Sequence, residues 1–234
     1  MYNIEYLDWD SELFAIKVGR VLLNEKISAE VELGIIDDAK RQSYKLLYIF
    51  SIDSLAECNS NSFFLADKKV ELTKNIRSIT CLQSSVRSFD VSCDLIEDLY
   101  HLALESGKYS RFRLDKNMPV GTFEKMYRIW IERSTKKEIA SDVLVYIYQE
   151  QIRGMLTYKI NEGIASIGLI GVSSVEQNRG IGSCLVEKLE SVLNSNAICT
   201  LNVATQADNL NACSFYCKNG FSVSKITYIY HLWL

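Results

Sequence analysis

The fold class predicted is α/β (α+β), with a small α/β unit ahead of a larger one, and three observations predict it. Ile164–Val172 (IASIGLIGV) is an apolar run that leads through a polar loop into a glycine-opened helical segment. Two amphipathic helices and a three-strand meander precede that unit, and a strand, a helix and closing strands follow it. Upstream, the first 76 residues read as strand, helix, strand, strand.

In chain order, Ile4–Asp10 is a short mixed stretch and Phe14–Leu23 (FAIKVGRVLL) reads as a strand. Ser28 can cap a helix to about Gln42, with Glu30 and Glu32 early and Lys40 and Arg41 late, the charge order that suits the helix dipole. Lys45–Ile52 is a buried strand, and Phe63–Lys74 reads as two short strands around a polar turn. The weakly patterned stretch Arg77–Ser92 is the boundary candidate, giving domains over 1–85 and 94–234. Asp94–Glu105 is an amphipathic helix stopped at Gly107, and Thr122 can cap a second helix to Arg133. Asp142–Gln149, Ile152–Ile160 and Ile164–Val172 form the meander. Ala197–Thr205 is a strand, Asn209–Asn219 a helix ended by Gly220, and Phe221–Leu234 the last strands.

Composition narrows the function classes. The 234 residues are 48% hydrophobic and 24% charged, as in a soluble globular chain. Net charge is −3, from 26 basic and 29 acidic residues, so no polycationic nucleic-acid surface is expected. No apolar run has the length of a membrane span and no signal peptide is evident at the start. The seven cysteines are scattered and form no C-x-x-C, which points to a reduced, cytoplasmic setting.

The glycine-bearing loop carries the first chemical signal. A strand, a loop and a helix in that order put unpaired N–H groups at a helix N-terminus, where donors and dipole favour a phosphate. A P-loop needs Gly-Lys-Ser/Thr, but Ser183-Cys184 follows Gly182; a dinucleotide fingerprint needs a third small residue where Leu185 stands. What remains is Gln177-x-x-Gly180-x-Gly182. This pattern resembles the pyrophosphate loop of the GNAT N-acetyltransferases. The resemblance implies a mixed, splayed central sheet, backbone amides that hold the pyrophosphate of acetyl-CoA, and a strand that parts to receive the pantetheine arm. It implies cofactor contacts from Leu169, Ile170, Gly171, Val172, Gln177, Asn178, Arg179, Gly180, Ile181, Gly182 and Ser183. A Cβ at Gly180 or Gly182 would keep the backbone from closing on the anion.

A second motif lies one strand later. Asn209-x-x-Ala212-x-x-x-Tyr216, then Lys218-Asn219-Gly220-Phe221, is similar to the other signature of that family, and the shared order covers residues 94–234. In the family the tyrosine here is the general acid that protonates the departing thiolate. A thiol near pKa ~8.5 and a phenol near ~10 make that transfer nearly balanced. The resemblance gives this role to Tyr216, and to Asn209 a reach toward the pantetheine arm or its neighbouring backbone. A backbone N–H between Leu169 and Gly171 would hold the developing oxyanion. Many relatives carry a glutamate base on the central strand, but ASIGLIGV has no carboxylate. A water chain or a carboxylate from the first domain must serve instead.

The segments LDWDSELFAIKVGRV and Tyr109-Ser-Arg111-Phe-Arg113, with TFEKMYRIWIERS from Thr122, resemble the TDP-fucosamine acetyltransferase branch of the family. That implies a nucleotide-linked 4-amino-4,6-dideoxyhexose as acceptor, made for surface polysaccharide. Arginine forks suit a diphosphate and an aromatic suits a pyrimidine, so Tyr109, Arg111 and Arg113 are the substrate-binding candidates. An extended segment would aim both arginines at one side. A GNAT enzyme for a polyamine, antibiotic or protein N-terminus is the alternative, and a non-catalytic acyl-CoA module a third; a homodimer is also open. His101 and His231 suggest neither a triad nor a metal site. Cys213 and Cys217, one helical turn apart, are two thiols too few for zinc and read as helix packing.

Overall fold

The chain folds around one ten-stranded sheet in the order β1-β2-β3-β10-β4-β9-β8-β7-β6-β5. The architecture comes from a computed structural model that describes residues 2–55, 62–76 and 85–234. In chain order the elements are β1 (Glu5–Tyr6), α1 (Asp8–Phe14), β2 (Val18–Leu23), α2 (Ala29–Arg41), β3 (Leu46–Ser51), β4 (Phe64–Asn75), β5 (Val86–Ser88) and α3 (Ile96–Ser106). Then come α4 (Arg111–Leu114), α5 (Thr122–Thr135), β6 (Asp142–Tyr148), β7 (Gln151–Asn161), β8 (Ile164–Val172), α6 (Ile181–Ser195), β9 (Thr200–Gln206), α7 (Leu210–Lys218) and β10 (Ser222–Trp233). Parallel pairing occurs between β2 and β3 and between β8 and β9, so the sheet is mixed.

Side-chain alternation along the strands feeds both faces. Leu46 and Tyr48 join α1, α3 and α5 in one cluster, with Phe14, Leu99, Met126 and Met155. Leu47 and Ile49 turn the other way and pack with Ile35, Ile36 and Ala39 of α2. Farther along that second face, Leu185 and Leu189 of α6 and Tyr216 of α7 cover Leu156, Ile167 and Val203.

Several elements differ from the sequence expectation, each for a local reason. The expected Phe14–Leu23 strand begins at Val18; Phe14 instead ends α1, which Ala15 closes at φ 55°. Phe63–Lys74 is one continuous strand, β4. Its polar middle is no turn: Lys68 lies over the Tyr228 ring at 5.3 Å, and Lys69 pairs with Glu71 at 2.7 Å. Thr122 is the first helical residue of α5, and Gly121 at φ 79° takes the cap position. β9 starts at Thr200 because Ala197 adopts φ 57° after α6. Ser28 does cap α2, accepting from Val31 N–H at 3.4 Å. The stretch Arg77–Ser84 lies outside the described residues.

The expected division near residues 85–94 separates no sheet. β10, the chain's last strand, pairs with β3 on one side and β4 on the other, and β4 pairs with β9. The α2 cluster is completed by Tyr230 and Leu232 of β10. An ion pair also ties the halves, because Lys74 of β4 meets Glu190 of α6, whose side chain is 1% exposed. The other Glu190 oxygen, Oε2, has no partner among the described residues. Lys74→Ala would leave a buried unpaired carboxylate and should cost about 3 kcal/mol or more. Urea unfolding measures this, and Lys74→Met with Glu190→Leu should recover most of the loss.

Candidate acyl-transfer site

β8 and β9 are paired only from Ile164 and Thr200 to Ile167 and Val203. Beyond that point both strands continue, and each is held by its other neighbour. β9 keeps register with β4 to the pair Gln206–Lys69, and β8 keeps register with β7 to the pair Val172–Gly154. A register shift at Gly168 bends β8 where they part. There Leu169 N–H donates to Thr157 Oγ1 at 2.9 Å. A Cβ on Gly168 would stand 2.8 Å from that oxygen, so only glycine fits the bend without a shift. The sheet opens as a V.

The alternation of N–H groups fixes what lines the V. Ser173 N–H reaches the Arg153 carbonyl at 2.9 Å. Gly171, two residues earlier, therefore also faces β7, while Ile170 and Val172 turn their N–H groups into the opening. Of the expected oxyanion donors between Leu169 and Gly171, Leu169 is thus already engaged, Gly171 points away, and Ile170 remains. Gly171 has a separate constraint, since a Cβ there would lie 2.6 Å from the Leu102 carbonyl oxygen of α3.

The V leads to the start of α6. Gln177 Nε2 donates to the Val172 carbonyl at 3.3 Å. Asn178 and Gly180 turn the chain at φ 64° and φ 80°. No side chain caps α6, and Cys184 N–H, bonded to the Gly180 carbonyl at 3.0 Å, is the first to close a helical turn. The amides of Ile181, Gly182 and Ser183 belong to the turn whose donors a helix cannot itself satisfy. Arg179 is not a free cation here; it pairs with Glu176 at 2.8 Å. The two glycines do different things. A Cβ at Gly180 would meet open space, which fits room for an anion. At Gly182 it would lie 2.9 Å from the Phe215 ring, so that glycine lets α7 approach α6. The Ile181 side chain is buried in the core, leaving its backbone to the loop.

α7 brings Tyr216 to the same end. Asn209 does not point along the V through its carbonyl: its Oδ1 caps α7, accepting from Ala212 N–H at 3.2 Å. Tyr216 is 4% exposed and packs between Phe215 and Phe221, at centroid distances of 5.1 and 5.5 Å. Burial, with the neighbouring Cys213 thiol, pushes its phenol well above the usual value, so the hydroxyl keeps its proton through neutral and mildly alkaline pH. Cys213 is half-buried and its Sγ faces the Gln206 carbonyl at 3.6 Å, whereas Cys217 is exposed.

Tyr109, Arg111 and Arg113 are not brought together as expected. The segment is a helical turn, not extended, so its arginines diverge. Arg113 is exposed over Phe123 at 5.5 Å, and Tyr109 lies under Lys108 in the turn before it. Arg111 points inward over the rings of Phe112 and Tyr48, at 4.4 and 4.9 Å. Its Nε is buried without a partner among the described residues, and burial lowers its pKa against the fields of Tyr48, Asp67 and Asp10. Tyr48 donates to Asp10 at 3.0 Å. Nearby, His231 Nδ1 lies 2.6 Å from Asp115 Oδ2, and Trp233 Nε1 donates to the same oxygen at 2.8 Å.

Asp67 is the residue that sequence reasoning missed. Register with β9 sets it level with Asp208, two places past Gln206, at the β9 lip of the V. Burial pushes its carboxyl up to about 6, with Arg111 and Lys69 opposing and Asp208 adding. The local sequence marks Asp67 only as one of several charges in β4 (FLADKKVELTKN), so FFLADKKV reads as a turn and the burial of Asp67 is hidden.

The parted strands, the uncapped helix and the buried tyrosine find their match in one family. Residues 97–221 match the acetyltransferase (GNAT) family. The chain belongs to that family. Among curated proteins, the uncharacterized protein YxbD of Bacillus subtilis is 36% identical over 76 residues, 32% of this chain and 46% of that one. The aligned region thus spans less than half of that relative. Among solved structures, a functionally unknown conserved protein from Staphylococcus epidermidis superposes with a TM-score of 0.68 at 14% identity, covering 97% of this chain and 89% of that chain. A GCN5-related N-acetyltransferase from Sphaerobacter thermophilus gives 0.64 at 13%, over 98% of this chain and 76% of that chain. At such identities the likeness shows the GNAT fold. Among the described residues no cluster of His, Cys, Asp and Glu is arranged for a metal ion, and no helix is long and apolar enough to cross a membrane.

The two loop glycines of this GNAT chain should separate on mutation. Gly180→Ala places a side chain at positive φ and should cost on the order of 1 kcal/mol while weakening CoA binding in calorimetry. Gly182→Val drives into Phe215 and should cost about 1–3 kcal/mol in thermal or urea unfolding.

Proposed function

We propose that the chain transfers acetyl from acetyl-CoA to the amino group of a small acceptor, a nucleotide-linked amino-dideoxy sugar, by direct attack. The observation that carries the acyl-transfer reading is the V itself: inward N–H groups at Ile170 and Val172 continue into the uncapped start of α6. A pantetheine arm would pair with the former and its pyrophosphate with the latter. The Ile170 N–H would meet the thioester oxygen as charge develops there. The amine forms the C–N bond, the C–S bond breaks, and Tyr216 gives its proton to the thiolate.

The amine must also lose a proton, and Asp67 is the group proposed to take it. Beyond burial, Arg111, Asp208 and Lys69 set its field. Asp67 and Asp10 both act on Arg111, so an ammonium group arriving there meets carboxylates. The sugar-nucleotide reading rests on the resemblance of the Leu7–Val21 and Tyr109–Ser134 segments, with Arg111 meeting the acceptor's anionic part.

Thiol release from acetyl-CoA tests acceptors directly, with TDP- and UDP-amino sugars set against polyamines and peptides. Turnover on the amino sugars alone is expected; turnover only on polyamines or peptides would replace this acceptor. Tyr216→Phe should lower turnover ~10²–10⁴-fold with acetyl-CoA affinity intact. Because its phenol titrates above the ordinary ~10, the wild-type alkaline limb due to this residue should lie above pH 10. Asp67 loses basicity as pH falls through about 6, so kcat/KM should fall along an acid limb there. Asp67→Asn should remove that limb and lower kcat/KM at pH 8 by ~10²-fold.

A further inference from the structure

Beside the vertex of the V lies a cavity of about 260 Å³ that the transfer of an acetyl group does not require. Its walls include Trp130 and Ser134 of α5, Ala140, Thr157 of β7, and Ser166 and Leu169 of β8. The Gly168 bend also lines it, so the cavity lies over β7 and β8 beside the point at which β8 leaves β9. The pyrophosphate loop sits at the opposite end of β8, after Val172. An acyl-CoA lying along β8 therefore runs from that loop toward the vertex, and its acyl group is the leading end.

The paired strands close the way ahead at Ile167 and Val203, so a longer acyl chain has to leave the sheet plane. On the α6 face that path is filled by Ile167, Leu189 and Val203. On the other face Gly168 and Ser166 are exposed and line the cavity. We propose that this cavity is an acyl subsite and that the protein accepts linear acyl-CoA thioesters longer than acetyl. The proposal rests on the acyl-transfer reading above. The bonds made and broken are unchanged: C–N forms, C–S breaks, and CoA leaves as the thiol. The apolar wall from Trp130, Leu169 and Ala140 supplies the chain's contact, and Ser166 sits at the wall where a larger side chain would fill the space.

Calorimetry with CoA, acetyl-CoA, butyryl-CoA and hexanoyl-CoA tests this without an acceptor. Each methylene buried should tighten binding about three- to fourfold, so hexanoyl-CoA should bind at least tenfold tighter than acetyl-CoA. Ser166→Leu should abolish that gain and leave CoA and acetyl-CoA affinity unchanged. If CoA binds but affinity is flat or falls with chain length, the subsite is overturned. A gain that survives in Ser166→Leu overturns it too, because the chain then lies elsewhere. Failure of CoA itself to bind removes the acyl-transfer reading on which the subsite depends, and is told apart by the first titration.

Discussion

The site depends on two parallel strands being held by different neighbours. β9 follows β4 through a full ladder, and β8 follows β7. Where Gly168 adds a residue to β8, the twist of the two ladders is no longer shared and the strands diverge. Thr157 secures the bend by taking the Leu169 N–H. In a regular sheet the Ile170 and Val172 amides would be consumed by β9. The parting leaves them without a strand partner among the described residues, half-buried donors open to a ligand or water.

The first half of the chain serves this arrangement more than its own. β4 supplies the ladder that keeps β9 away from β8, and it carries Asp67 to the lip. β10 then returns from the end of the chain to lie between β3 and β4, placing His231 over Tyr48 at 5.0 Å. The polar cluster around Arg111 is therefore built from α1, β3, β4 and α4, with the Asp115–His231 pair beside it. None of these elements stands next to all the others in sequence.

That geography explains what the sequence made legible. The strand–loop–helix from Ile164 to Glu190 and the Asn209–Tyr216 helix are local patterns, and local propensity with hydrophobic period is enough to read them. Tyr216 could be named because the contiguous Asn209–Phe221 motif carries the resemblance to the family. Gly182 was named for a different reason than the one it has, since its contact with Phe215 joins residues far apart in sequence. Asn209 reads from sequence as reaching the pantetheine arm or its neighbouring backbone; its Oδ1 caps α7, a use that the same short amide serves. Asp67 and the helical turn at Arg111 were missed because both depend on long-range burial. Charged residues inside β4 imitate a turn, and four residues are too few to show a helical period.

Amide hydrogen exchange with and without CoA tests the parted strands most directly. The account predicts that CoA slows exchange at Ile170, Val172 and Ile181–Ser183. Leu169 and Gly171, already turned to β7, should change little. Equal protection along the whole of β8, or none at Ile170 and Val172 when CoA is bound, would contradict it.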